Sequence, residues 1–150
     1  MKRFPDCEEY KDDNEIVLKE NKSKLTFENS KQYQIRIIKV DGCPILDKEG
    51  KRCDYALVCS NVEIYVELKG SKIAHAVEQI ESTIKLLSDN PQTIKKLCFV
   101  VFTRFGLPKG RTNIQIIKSK FNKKYNATLI VEKTPFTYDL SNITIKKKSR

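Results

Sequence analysis

Asp54, Glu67 and Lys69 stand in "CDYALVCSNVEIYVELKG", Cys53 to Gly70, a stretch otherwise made of residues that suit two buried strands. Two carboxylates held close repel each other unless a cation lies between them. Oxygen ligands of this kind hold Mg²⁺ or Mn²⁺ while leaving waters on the ion. An ion so held activates a water and stabilises charge that builds on a phosphate. A lysine beside it orients the attacking water and offsets negative charge, a task suited to its three rotatable donors. The residue types therefore point to hydrolysis of a phosphodiester.

The spacing supplies the geometry. A two-residue Ser60-Asn61 turn makes a hairpin and pairs Cys59 with Val62, so that paired residue numbers sum to 121. Asp54 then falls opposite Glu67, with Cβ atoms about 4.5–5.5 Å apart on one face. Lys69, two residues on, shares that face, while Val62, Ile64, Val66 and Leu68 take the other. A half-solvated antiparallel strand is the plainer account of such alternation. Against it, Asp54 interrupts an apolar strand where aspartate is disfavoured.

The positioning elements follow from the pattern. "YQIRIIKV" (Tyr33 to Val40) reads as a β-branched strand, and turn residues stand at Asp47 to Gly50. The hairpin supplies two more strands. Gly70 ends the third, and Ser71 is placed to cap a helix. Ile73, Val77, Ile80, Ile84 and Leu87 recur at helical spacing as far as Ser88. "CFVVF" (Cys98 to Phe102) reads as a strand buried on both faces. "TNIQIIKSKFNKKY" reads as a helix with Ile114, Ile117 and Phe121 on its apolar side, and "ATLIVEK" as the last strand. We expect an α/β domain: a mixed β-sheet, built as a three-strand meander followed by helix-strand-helix-strand, with flanking helices and a right-handed parallel crossover. The chain forms a single domain, 1–150, with a core at about 33–133. Residues 1–32 form an arm, a short helix or an extended segment, and 134–150 a basic tail.

Asp54 with "ELK" (Glu67, Leu68, Lys69) resembles the PD-(D/E)XK nuclease superfamily, whose fold is restriction-endonuclease-like. The step from Asp54 to Glu67 across a tight hairpin is similar to that in small nucleases of the Holliday-junction-resolvase type. "VDGC…KRCDYALV…YVELKG…HAVEQ" also resembles uncharacterised bacterial members. The resemblance spans roughly Tyr33 to Phe102. It implies that Asp54, Glu67 and the Leu68 backbone carbonyl bind Mg²⁺ or Mn²⁺ and that Lys69 assists the attacking water. The proline of the motif name is absent, since Cys53 precedes Asp54. Members often add an acid from a helix before the first strand, which makes Glu28 the first candidate ligand and Glu20 the second, with a solvated glutamate the plainer reading of each. Asp41 is read first as a turn residue and second as a further acid of the cluster. Gln79 matches a glutamine of the RecB-type branch, where it would bond a phosphate or support Lys69. Thr83 stands where that branch has tyrosine.

The charge agrees with such a substrate. Lys and Arg number 29 against 19 Asp and Glu, and a net +10 attracts polyanions. DNA is favoured over RNA. Arg52, Lys72, His75, Arg104, Lys109 and Arg111 are the candidate nucleic-acid contacts, with His75 read first as a surface histidine. Defence, restriction or DNA repair would use such an enzyme. The alternative is a catalytically weak binding subunit of the same fold, working with a larger helicase or ATPase. A module whose carboxylates are merely exposed is the third reading. No separate reader of base sequence is evident, so we expect target choice by shape or by a partner, and a homodimer over a monomer. An apolar fraction of 39% suits a packed core rather than a disordered chain. No apolar run approaches the ~20 residues that span a bilayer, so no membrane partner is expected. The first residues lack the apolar segment of a secretory signal, so the cytoplasm is expected. The cysteines at 7, 43, 53, 59 and 98 have no C-x-x-C spacing and are read mainly as small buried residues. A Cys43–Cys53 disulfide is the lesser alternative.

Overall fold

The computed structural model describes residues 1–44, 46, 51–68, 72–104 and 114–143. The expected turn at Asp47 to Gly50, the cap at Ser71, and the candidates Lys69, Lys109 and Arg111 lie outside them.

The meander and crossovers are as the pattern requires. Strands β4 (Ile35–Lys39), β5 (Tyr55–Cys59) and β6 (Val62–Glu67) pair antiparallel in succession. Helix α1 (Ile73–Leu87) leads to β7 (Lys96–Phe102), which is parallel to β6. Helix α2 (Ile114–Tyr125) leads to β8 (Ala127–Lys133), parallel to β7. The hairpin register is the expected one, Cys59 opposite Val62 through Tyr55 opposite Val66. Ser60, the first residue of the turn, takes φ 57°. Lys72 is the N-cap of α1 and contributes no side-chain cap.

The first thirty residues depart from the expectation of a helix or an arm. They form β1 (Glu8–Lys11), β2 (Glu15–Glu20) and β3 (Ser23–Glu28). β1 joins the main sheet beside β4, giving the order β1-β4-β5-β6-β7-β8. β2 and β3 form a hairpin, and β9 (Phe136–Asp139) adds to β3 in parallel as a second, three-stranded sheet. The start of the expected tail is thus a strand.

Three layers result. The helices cover one face of the main sheet, where Ala76, Ile80, Ile84, Phe121 and Tyr125 pack with Ala56, Tyr65 and Cys98. The small sheet covers the other, where Leu25 and Phe27 pack with Leu57, Ile64, Val66 and Phe99. The Phe27 and Phe99 rings meet edge to face at 5.3 Å. The expected flanking helices therefore lie on one face only. Burial alternates along β2, with Ile16 and Leu18 inward and Glu15, Val17 and Lys19 outward, as in a strand with one wet face. β6 and β7 are buried along their whole lengths, which excludes the half-solvated account of β6.

One disulfide joins Cys7 to Cys43. The Cys43–Cys53 pairing is therefore corrected: Cys53 lies in the buried segment that enters β5, whereas Cys7 is brought beside Cys43 by β1 running along β4. Cys53, Cys59 and Cys98 are buried thiols, as small core residues should be. Among the described residues, no helix is long and apolar enough to cross a membrane.

Candidate metal centre

Asp54 stands one residue before β5 and is 2% exposed. Its backbone fixes it from both sides. The Asp54 N–H donates to the Val66 carbonyl at 3.0 Å, and the Asp54 carbonyl accepts from the N–H groups of Val40 and Asp41 at 3.0 and 3.3 Å. Two successive donors, Val40 and Asp41, on one acceptor are the mark of a bulge in the strand that continues β4, a device that re-aims a side chain. Alternation also slips on the strand of Asp54. Cys53 and Ala56, three residues apart, both join the helix-side core, while Tyr55 packs on the opposite side. One Asp54 carboxylate oxygen accepts the Leu68 N–H at 2.7 Å.

The carboxylates that gather around Asp54 are Glu20 and Asp41, the three offering oxygens within 4.8 Å of one another. Asp41 follows β4 in a turn that needs Gly42 at φ +94°. It is thus both a turn residue and a member of the cluster. Glu20 arrives from the tip of the β2–β3 hairpin. That tip is pinned where the Ser23 hydroxyl donates to the Val101 carbonyl at 2.9 Å and the Tyr55 hydroxyl to the Lys19 carbonyl at 3.3 Å. Glu28 lies at the far end of the same hairpin, opposite Glu15 and Asp139, five residues along β3 from Ser23 or about 16 Å away. Of the two glutamates considered, Glu20 is the one brought to Asp54.

Glu67 ends β6 at 1% exposure and is not one of that trio. Both carboxylates nonetheless act on one neighbour. Burial pushes the Cys53 thiol up to about 12, and the Glu67 and Asp54 charges add to the rise, against a hydrogen bond with Thr83 that lowers it. Tyr55 is likewise raised, first by burial and then by Glu20, Asp54, Glu9 and Asp41. An open cleft of about 680 Å³ adjoins the cluster, lined by Asp41, Tyr55, Glu9 and Lys39 and walled by the Cys7–Cys43 bridge.

Helix α1 serves this centre from behind. The Gln79 side-chain amide donates to the Arg52 carbonyl at 3.2 Å. The buried Thr83 hydroxyl donates to the Gln79 carbonyl at 2.8 Å and accepts the Cys53 N–H at 2.9 Å. Gln79 thus holds the backbone that leads into Asp54. Thr83, read from the sequence only as a departure from a family pattern, is a second support. A buried mid-helix threonine on the same stripe was the signal for it. Thr83→Val keeps the shape and leaves the Cys53 N–H without its acceptor, so it should cost about 1–3 kcal/mol. Thr83→Ser should retain most of that stability, and urea denaturation measures both.

The other candidates are dispersed. Arg52 spends its guanidinium on the Leu46 and Lys51 carbonyls, both at 2.8 Å. Lys72, His75 and Arg104 are exposed, with Lys72 at the start of α1, His75 on its solvent side and Arg104 just beyond β7. No family model, no characterised protein and no solved structure matches the chain.

Proposed function

We propose that the chain is a divalent-metal-dependent nuclease that hydrolyses phosphodiester bonds, with DNA preferred to RNA. The observation that supports this reading most is the convergence of the Glu20, Asp41 and Asp54 oxygens within 4.8 Å at the end of the β5–β6 hairpin. The donor set fits the metal. All three are hard carboxylate oxygens, with no histidine or cysteine among them, which suits Mg²⁺ or Mn²⁺ rather than zinc.

In this reading Glu20, Asp41 and Asp54 would hold the ion, with the buried Glu67 carboxylate at the end of β6. When bound, the ion supplies an activated water and charge stabilisation at the phosphate. The Leu68 N–H orients the Asp54 carboxylate, and Gln79 and Thr83 hold the strand entrance. Lys69, from the sequence pattern, orients the attacking water. The net charge of +10 draws the polyanion towards a centre that is locally acidic. Cleavage of nucleic acid by the purified chain, with Mg²⁺ or Mn²⁺ against EDTA, tests the proposal.

A further inference from the structure

Helix α2 carries four lysines, Lys118, Lys120, Lys123 and Lys124, and no carboxylate. Beside it lies edge strand β8, and between the two runs a groove of about 380 Å³. Its polar lining consists of Gln115, Lys118, Ser119, Asn122, Lys123 and Thr128. Each of these side chains has a hydrogen to donate, and none is anionic. Lys124 is engaged with Glu81 at 3.0 Å, and the Asn122 amide donates to the Ala127 carbonyl at 3.2 Å. Lys118, Lys120 and Lys123 form no ion pair among the described residues.

We propose that this groove docks the phosphodiester backbone of a nucleic-acid duplex. Lysines set among Ser, Thr, Asn and Gln donors are the side chains that contact phosphate and sugar oxygens. The same helix is poorly suited to a membrane surface. Its apolar side, Phe121 and Tyr125, is buried in the core, and Ile116 is the one large apolar residue it exposes among those described.

The position extends the nuclease reading to the path of its substrate, and the inference rests on that reading for its role. Glu67 is level with Val100 and Val131, whereas Ala127 at the groove is level with Lys96 and Glu63. That is four residues along the strands and two strands across, or about 16 Å. Successive nucleotides of a B-form strand rise ~3.4 Å along the axis while the backbone winds around it, so a duplex laid across the sheet reaches this far within a few steps. The groove would therefore grip phosphates a few nucleotides from those that lie over the end of β6, where Glu67 stands.

The test is fluorescence anisotropy with a labelled 20-base-pair DNA, and with the RNA duplex of the same sequence, in EDTA over a salt series. Lys118→Glu/Lys123→Glu should bind at least tenfold more weakly than wild type. Its log–log salt slope should fall in magnitude by about 2, one for each lost phosphate contact. Lys11→Glu/Lys31→Glu, a charge-matched change elsewhere, should stay closer to wild type, and melting curves check that both variants fold. A double variant with wild-type affinity and slope overturns the proposal. So does a wild-type protein that binds phosphatidylserine vesicles but neither duplex. Cleavage plays no part in the readout. Weakened binding in the variant together with a wild type that never cuts would uphold the groove and defeat the nuclease reading; unaltered binding with metal-dependent cutting would do the reverse.

Discussion

Asp54→Ala is expected to lower metal-dependent cleavage by about a thousand-fold, because it removes the carboxylate around which the others converge. The alanine also leaves the buried Leu68 N–H without the oxygen it meets at 2.7 Å, which should cost about 1–3 kcal/mol. Asp54→Asn separates the two effects. It keeps an oxygen for Leu68 and removes the charge. Without metal it should melt above wild type by the equivalent of about 1 kcal/mol, because repulsion from Glu20 and Asp41 is relieved. Mn²⁺ should raise the melting temperature of wild type and not that of Asp54→Asn, since only the protein that binds the ion is stabilised by it. Equal thermal shifts in the two proteins would rule out a metal centre at Asp54. Lys69→Ala should lose cleavage and keep the metal-dependent shift, as expected of a residue that acts on the water and not on the ion.

Breaking the Cys7–Cys43 bridge should have the largest effect on stability away from the acidic residues. The bridge spans 36 residues. Closing a loop of that size restricts the unfolded chain and contributes about 3–4 kcal/mol on the chain-entropy model. Cys7→Ala/Cys43→Ala should therefore lower the urea midpoint by that equivalent, and dithiothreitol should do the same to wild type alone. The bridge also ties the front of β1 to the turn that carries Asp41, two residues before Cys43. Metal affinity in the variant should fall with stability, as measured by Mn²⁺ titration well below the unfolding transition. An unchanged midpoint after reduction would contradict this assignment.

The legible part of this fold was the part with strong local signals. The hairpin register followed from two turn residues and the period of the strands, and it holds from Tyr55 to Cys59. The strand–helix–strand units followed from an amphipathic stripe and a short apolar run. The β2–β3 hairpin was not legible, because its short apolar groups are broken by Lys and Glu on the wet face and its turn lacks glycine. Its partner β9 arrives from more than a hundred residues later, a pairing that no local pattern encodes.

The candidate centre divides in the same way. Asp54 and Glu67 were visible because charged residues interrupt buried strands. Glu20 was named behind Glu28, and the order reverses because the hairpin places them at opposite ends. Asp41 reads as turn chemistry and is that as well as a member of the cluster. The slip in alternation around Asp54 has no signature in the residues, and neither has the approach of Glu20 and Asp41 to it. The lysines of α2 were read as part of a helix and not as a surface, because the covering of their opposite side by β8 is a tertiary fact.

The most direct measurement is a cleavage panel. Wild type and Asp54→Asn are incubated with single-stranded, double-stranded and branched DNA and RNA, in Mg²⁺, Mn²⁺ or EDTA. The account predicts cutting by wild type in Mg²⁺ or Mn²⁺, strongest on DNA, abolished by EDTA and lost in Asp54→Asn. Absence of cutting on every substrate, or cutting that persists in EDTA or in Asp54→Asn, would contradict it.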